Sequence, residues 1–215
     1  MFSNLFERFW LQIKSMRFLF FVPLIAYFCV IPLGVWAMSF NPEFDLGDSV
    51  STMCYLVVPF MSTWWIFMVL KEYIDGDGRE VLLLGRGTLF SAVLFQVINI
   101  VCFVPVFFVP MKDTFKSDMY HLFIQLLIIS FFMGGLTYFC NYFTGSITIS
   151  MLIAILYTAV SNYTFYNEHL SKMFGFVQLN TLKDVPCEDS LAGYWKFITA
   201  GAAFWVLGVI RSRKL

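Results

Sequence analysis

The sequence KEYIDGDGREVLLLGR, residues 71–86, is a charged segment that separates two long apolar runs. It contains seven charged residues, which are Lys71, Glu72, Asp75, Asp77, Arg79, Glu80 and Arg86. Each flanking run is about 20 residues long, the length that a helix needs to cross the hydrocarbon core of a bilayer. The pattern therefore predicts that this segment lies at one membrane face, where a soluble partner can reach it.

The composition of the whole chain indicates an integral membrane protein. Hydrophobic residues make up 60% of the 215 residues, charged residues make up 13%, and the mean hydropathy is +0.77. A soluble domain is typically about half apolar and about a quarter charged, so this chain lies far from that average. The formal net charge is zero, which gives no general attraction to nucleic acid. We expect a multi-pass protein of the plasma membrane, in a bacterial cell, with lipid around it and no nucleic acid as partner.

Six apolar runs predict a single all-α transmembrane domain over residues 1–215, with spans at about 17–38, 49–70, 87–109, 120–140, 147–163 and 191–210. No Asp, Glu, Lys or Arg occurs between Met119 and Asn167, and this run is too long for one crossing of about 20 residues. We expect it to break at residues 141–146, NYFTGS. Residues 164–190 form a long external loop in this scheme.

Residues 2–16 predict an amphipathic helix that lies at the membrane interface before the first span. Its apolar side chains recur at helical spacing, whereas Glu7, Arg8, Gln12 and Lys14 fall largely elsewhere on the helical wheel. The apolar set is Phe2, Leu5, Phe6, Phe9, Ile13 and Met16. The alternative is that this segment only extends the first span into the cytoplasm.

The distribution of basic residues predicts the orientation of the six spans. An even number of crossings places both termini on the same side as residues 71–86. That side has nine Lys and Arg residues against five on the other, and it has every Arg. Since cytoplasmic loops are enriched in basic residues, we expect both termini and residues 71–86 in the cytoplasm.

The sequence has no recognisable catalytic or metal-binding motif. It lacks a phosphate-binding G-x-x-x-x-G-K-[ST] loop and an H-E-x-x-H zinc motif, and its five cysteines show no C-x-x-C spacing. We therefore expect no metal site, no cofactor bound directly and no enzyme activity by the chain itself. The remaining enzyme hypothesis uses groups of the external loop, namely Glu168, His169, Asp184, Glu188 and Asp189.

Four polar residues within the predicted spans are candidates for a substrate pathway. Gln96, Asn99 and Gln125 either line such a pathway or form hydrogen bonds between helices, which is the commoner use of amides in membranes. Lys196 either contacts a substrate or extends its long side chain outward to the membrane surface.

The order of residues in the charged segment resembles the type-2 permease family of ATP-binding-cassette (ABC) exporters. In that family an acidic residue, a glycine and a Glu-x-Leu-Leu run occupy the cytoplasmic loop between spans two and three. Here these are Glu72, Gly76 and Glu80-Val81-Leu82-Leu83. The interfacial helix, the six spans and the long segment before span six agree with the same architecture. The segment differs from many members in having Asp77-Gly78-Arg79 before the second Glu, and Gly85 in place of a proline.

The resemblance implies that residues 71–86 contain a coupling helix that docks on a separate ATPase subunit. The implied docking residues are Glu72, Gly76, Arg79, Glu80, Leu82, Leu83 and, in the short loop between spans four and five, Asn141. Two ABC ATPase subunits would bind ATP and Mg, and a second six-span copy or paralogue would complete the pathway. The Phe-rich spans favour a hydrophobic or amphipathic cargo, such as a peptide, lipid or drug. The alternatives are that the segment only separates two spans, and that the chain is a non-transporting interaction, immunity or sensor protein.

Overall fold

The structure is a computed structural model that describes residues 2–40, 46–74, 88–108, 118–163 and 194–212. These ranges are helical and contain no strand. The helices are α1 (Phe2–Met16), α2 (17–38, composed of four short segments), α3 (Leu46–Ile74), α4 (Thr88–Phe108), α5 (Asp118–Thr144), α6 (Ile147–Tyr163) and α7 (Trp195–Ser212).

Four helices in the described part of the chain are long and apolar enough to cross a membrane. They cover Phe9–Met38, Thr52–Lys71, Thr88–Phe108 and Phe123–Thr144, and Ile147–Ser161 is a shorter apolar helix. These features are those of a helical, multi-pass membrane protein. The six crossings and the cytoplasmic position of both termini stay predictions.

The helix bounds agree with the predicted spans most closely for α2 and α6 and least for α3. Helix α6 occupies Ile147–Tyr163, as predicted. Helix α3 is longer at both ends than the predicted span 49–70, so Lys71–Ile74 are helical and lie before the rest of the charged segment. Residues 2–16 are helical, as predicted, and form α1, whose interfacial position stays a prediction. Gln12 lies on the buried face of this helix, contrary to expectation.

The break between α5 and α6 is shorter than the six residues predicted. Helix α5 continues through Asn141 and ends at Thr144, and the reversal is made by Gly145, which has φ +63°. A left-handed backbone favours glycine because it has no Cβ. The Thr144 hydroxyl oxygen also accepts a hydrogen bond of 3.2 Å from the Ser146 N–H, which supports the turn. The expectation that residues 141–144 form a loop was therefore wrong.

Helix α2 is irregular because it contains two prolines. A 3₁₀ segment, Arg17–Phe21, comes before Pro23, and a π-helical segment, Ala26–Val30, comes before Pro32. Each proline lies in the first turn of a short α-helical segment, Val22–Ile25 or Ile31–Met38, where its missing N–H breaks no hydrogen bond of that segment. The 3₁₀ segment and the π-helical segment therefore each lie directly before a short α-helical segment that has a proline in its first turn.

Two tryptophans of α3 support the 3₁₀ segment of α2. The Trp64 indole N–H donates to the Leu19 carbonyl, and the Trp65 indole N–H donates to the Phe20 carbonyl, each at 3.0 Å. Leu19 precedes Pro23 by four residues, so in a regular α-helix its carbonyl would lack the usual donor. The Val22 N–H and the Trp64 indole both donate to it here.

Glycines allow α5 and α7 to approach closely. A Cβ on Gly135 of α5 would lie 2.7 Å from the carbonyl oxygen of Gly201 on α7. A Cβ on Gly201 would lie 3.0 Å from the Phe132 Cα, so the contact involves backbone on both helices. Small residues of this kind are common where membrane helices pack. The largest buried cluster among the described residues includes side chains from α2 to α7, and α3 and α5 each contact several other helices, which places them at the centre of the bundle.

Candidate functional site

Buried polar side chains connect the central helices at three levels. In the N-terminal halves of α3 and α5, the Tyr55 hydroxyl donates a hydrogen bond of 2.6 Å to the Gln125 Oε1. Between the first residue of α4 and the C-terminal part of α5, the hydroxyl oxygens of Thr88 and Tyr138 are 3.3 Å apart. The middle level is the most connected of the three.

The middle level is a network of four residues from α2, α4 and α5. The Tyr27 hydroxyl donates to the Asn99 Oδ1 at 2.6 Å. The Ser130 Oγ accepts hydrogen bonds from the Gln96 Nε2 at 2.7 Å and from the Asn99 Nδ2 at 3.4 Å. All four side chains are buried, and Tyr27 lies in the π-helical segment of α2, a type of distortion often found at functional sites.

The network leaves one strong acceptor without a hydrogen-bond partner among the described residues. This atom is the Gln96 Oε1, which lies close to Gly134 of α5. A Cβ at position 134 would lie 3.0 Å from this oxygen, so a glycine is needed to leave the amide in its present position. The buried Thr137 Oγ1 and Asn141 Oδ1, further along α5, also lack partners in the described ranges.

Three of the four candidate pathway residues therefore lie in contacts between helices. Gln96, Asn99 and Gln125 are buried and hydrogen-bonded to side chains on neighbouring helices. This geometry is the helix-bridging arrangement expected as one alternative. A pathway role for these residues stays a hypothesis.

Lys196 lies apart from this network. It is the second residue of α7, it is partly buried, and its Nζ lies 5.0 Å from the centre of the Phe197 ring. Helix α7 begins at Trp195 rather than Leu191, so Lys196 lies in the first turn, where its ammonium group is close to the helix end. This position favours the interpretation in which the side chain extends to the membrane surface.

An apolar groove runs between α4 and α7, with α5 as its floor. Its volume is about 640 Å³, within the range of about 300–1,000 Å³ that is usual for small-molecule sites. Phe131 is the lining residue from α5, and Val93, Val97, Ala202, Trp205 and Val206 are among the lining residues from α4 and α7. Gln96 also lines the groove, but its amide nitrogen is hydrogen-bonded to Ser130.

A second junction ties α1 to the end of α3. The Gln12 Nε2 donates a hydrogen bond of 3.0 Å to the Tyr73 hydroxyl, and both side chains are buried. Phe9 and Met16 of α1 belong to the same buried cluster as Tyr73. The amphipathic helix is therefore packed against the turn of α3 from which the charged segment continues.

The expected docking residues are only partly covered by the structure. Glu72 belongs to the last turn of α3, and Gly76, Arg79, Glu80, Leu82 and Leu83 lie outside the described residues. Asn141 is fully buried in α5, and its Nδ2 donates to the Thr137 carbonyl at 2.8 Å. A docking role at this turn would therefore use the exposed side chain of Phe143 or the backbone around Gly145 rather than the Asn141 amide.

Sequence reasoning missed Tyr27, Ser130 and Trp205. A tyrosine or serine within an apolar run gives no signal of its hydrogen-bond partner. The spacing of Gly201 and Gly208 on α7 was the available sign of a close contact there, since small residues mark packed faces of membrane helices.

The fold and its buried polar contacts place the chain in the class of helical multi-pass membrane proteins. Comparisons with protein-family models, with curated proteins and with solved structures each found no match.

Proposed function

We propose that the chain is the transmembrane permease subunit of an ATP-driven exporter of the ABC type. Residues 71–86 dock on a separate ATPase subunit, and two such subunits bind ATP and Mg. A second copy or a paralogue of the chain completes the translocation pathway. The chain itself has no catalytic role in this scheme.

The observation that carries the proposal is the junction between α1 and α3. A docking segment transmits force only if its base is fixed to the bundle. The hydrogen bond between Gln12 and Tyr73, together with the packing of Phe9 and Met16, fixes α1 to the turn of α3 that leads into residues 75–86. A displacement of the charged segment by a bound ATPase subunit would therefore move α1 and α3 together.

The apolar groove supports a hydrophobic or amphipathic cargo. Its walls are apolar, and the single amide among its lining residues is turned toward Ser130. A peptide, lipid or drug with a large apolar surface fits such walls better than a charged solute, because a buried charge without a partner is costly in a membrane.

The decisive experiment is purification of the tagged chain from its native membrane in mild detergent, followed by measurement of ATP hydrolysis. We expect ATPase subunits to co-purify and to hydrolyse ATP. The double variant Glu72→Lys, Glu80→Lys should lose both the subunits and the hydrolysis, since both charges in the docking segment are reversed. Glu168→Lys, in the predicted external loop, is the matched control and should behave as the wild type.

Two results would contradict the proposal. If the double variant kept its ATPase subunits and transport, residues 71–86 would not be the dock. If no ATPase subunit associated with the wild type, the non-transporting interaction or sensor function would replace the transporter.

A further inference from the structure

We propose that α5 separates from α3 along one face in a second conformation of the chain, and that water then enters and binds polar atoms that are unpaired in the packed conformation. The face is formed by Gly134, Thr137 and Asn141, and we call it the polar face of α5. The proposal needs only the packing of the described helices. It does not rest on the proposed ATPase, so the two proposals can fail separately.

The polar face of α5 leads away from the network in the middle of the bundle. Ser130, Gly134, Thr137 and Asn141 follow each other at intervals of four, three and four residues, which places them on one side of a helix. Ser130 belongs to the network. Asn141 is in the last turn of α5, about 16 Å further along the helix at 1.5 Å per residue. The face therefore extends from the network to the end of α5.

The part of α3 that packs on this face is apolar. A Cβ on Gly134 would lie 3.3 Å from the Ile66 Cδ1, so Ile66 is in direct contact with the face. Leu70, one turn further along α3, is buried in the same cluster as Ile66 and Tyr138, the residue after Thr137. Residues 66–70 are Ile-Phe-Met-Val-Leu, so this stretch of α3 has no side-chain hydrogen-bond donor.

Three oxygens at the polar face are buried and have no hydrogen-bond partner in the described ranges of the chain. They are the Thr137 Oγ1, the Asn141 Oδ1 and, beside Gly134, the Gln96 Oε1. The two amide nitrogens are paired, since that of Asn141 donates to the Thr137 carbonyl and that of Gln96 donates to Ser130. What the packed conformation lacks is therefore donors for the amide oxygens.

Thr137 differs in this respect from Thr144 and Thr158. The hydroxyls of those two residues donate to the carbonyl four residues earlier in their own helices, at 2.8 Å and 2.9 Å. An unpaired buried polar atom costs free energy, and its presence in a native structure needs an explanation. Water supplies the missing hydrogen bonds of such atoms when it can reach them. The free energy of hydration therefore opposes the packing of α3 on the polar face and favours a conformation in which the two helices separate there.

A matched pair of threonine variants tests whether the unpaired hydroxyl opposes packing. Thr137→Val removes a buried hydroxyl without a partner among the described residues, whereas Thr158→Val makes the same change where the hydroxyl is paired within α6. The measurement is thermal unfolding of the full chain in mild detergent. We expect Thr137→Val to raise the unfolding temperature by about 2–4 °C and Thr158→Val not to raise it.

Thiol labelling tests the separation of the helices. One protein has Leu70→Cys as its sole cysteine, and a second protein has the native Cys54 as its sole cysteine; both positions are fully buried on α3. We expect a hydrophilic thiol reagent to label the Leu70→Cys protein at least about tenfold faster, because only position 70 is next to the polar face. Adding Thr137→Val should slow that labelling about tenfold, which corresponds to about 1.4 kcal/mol in favour of the packed conformation. Adding Thr158→Val should leave it unchanged.

Three outcomes would overturn the proposal. An equal change of unfolding temperature in the two threonine variants would show that the Thr137 hydroxyl is no less satisfied than that of Thr158. Labelling of the Leu70→Cys protein no faster than that of the Cys54 protein would show that the helices separate only when the whole chain unfolds. Labelling that Thr137→Val leaves unchanged would show that the unpaired hydroxyl does not favour opening. If Leu70→Cys prevents folding, the unfolding temperatures decide alone, since they need no added cysteine.

Discussion

The Tyr27 hydroxyl donates a hydrogen bond of 2.6 Å to the Asn99 Oδ1, joining the π-helical segment of α2 to the middle of α4. The two residues are 72 positions apart in the chain. Asn99 is thereby oriented so that its Nδ2 faces Ser130 of α5. One amide thus connects three helices.

This contact predicts a measurable coupling between the two side chains. Interhelical hydrogen bonds in membranes contribute about 0.6 kcal/mol on average and about 1.7 kcal/mol at most. A double-mutant cycle with Tyr27→Phe and Asn99→Ala, read from unfolding in mixed micelles, should give a coupling energy in that range. Cys29→Ala, at an exposed position of the same π-helical segment, is the control and should change stability little. A coupling near zero would show that the contact does not stabilise the bundle.

The close approach of α5 and α7 predicts that Gly135→Ala destabilises the protein. The new Cβ would lie 2.7 Å from the backbone oxygen of Gly201, so a helix must shift to admit it. Overpacking of this kind costs about 1–3 kcal/mol, which thermal unfolding in detergent can detect.

Gly145 provides the comparison for this effect. Nothing lies within 4 Å of a Cβ there, and its positive φ is one that asparagine also adopts. Gly145→Asn should therefore leave the unfolding temperature almost unchanged. If both variants unfolded at the same temperature, the helix contact would not be tight.

The hydrogen bond between Gln12 and Tyr73 predicts that Tyr73→Phe loosens α1. The variant leaves the buried Gln12 amide without this acceptor, and an unsatisfied buried polar group costs about 1–3 kcal/mol. Amide hydrogen exchange of residues 9–16 should become faster.

The double variant Gln12→Leu, Tyr73→Phe should recover much of the lost protection. Replacing both partners by apolar groups removes the unpaired amide, which is nearly neutral in such cases. Unchanged exchange in the single variant would show that packing alone holds α1 in place.

The six-span topology predicts which loops a membrane-impermeant thiol reagent can reach. In a cysteine-free background, Lys183→Cys should be labelled on intact cells, because residues 164–190 are expected outside. Arg79→Cys should be labelled only after the membrane is permeabilised. Labelling of both positions on intact cells would rule out the predicted orientation.

Much of the helix pattern was predictable because it depends on local sequence. The run Ile147–Tyr163 is apolar and follows a glycine, and α6 has those bounds. The end of α5 was misplaced because Asn141 was read as a turn residue. In the structure its amide nitrogen donates to the Thr137 carbonyl of its own helix, and the residue with a positive φ between α5 and α6 is Gly145.

The partners of the buried amides were not predictable in the same way. Gln96 and Ser130 are 34 positions apart, and their contact depends on how α4 and α5 pack. The groove beside Gln96 likewise arises from the side chains of three helices. Periodicity in one helix shows which face is apolar but not which face of another helix it meets.

The indole contacts of Trp64 and Trp65 have a consequence for biosynthesis. Both donors are 45 positions later in the chain than the carbonyls that accept them. At about 5–20 residues per second, the ribosome makes Leu19 roughly 2–9 s before Trp64. The first span is therefore synthesised before these donors exist. Its 3₁₀ segment gains the two indole hydrogen bonds only when α3 has been made and packs against it.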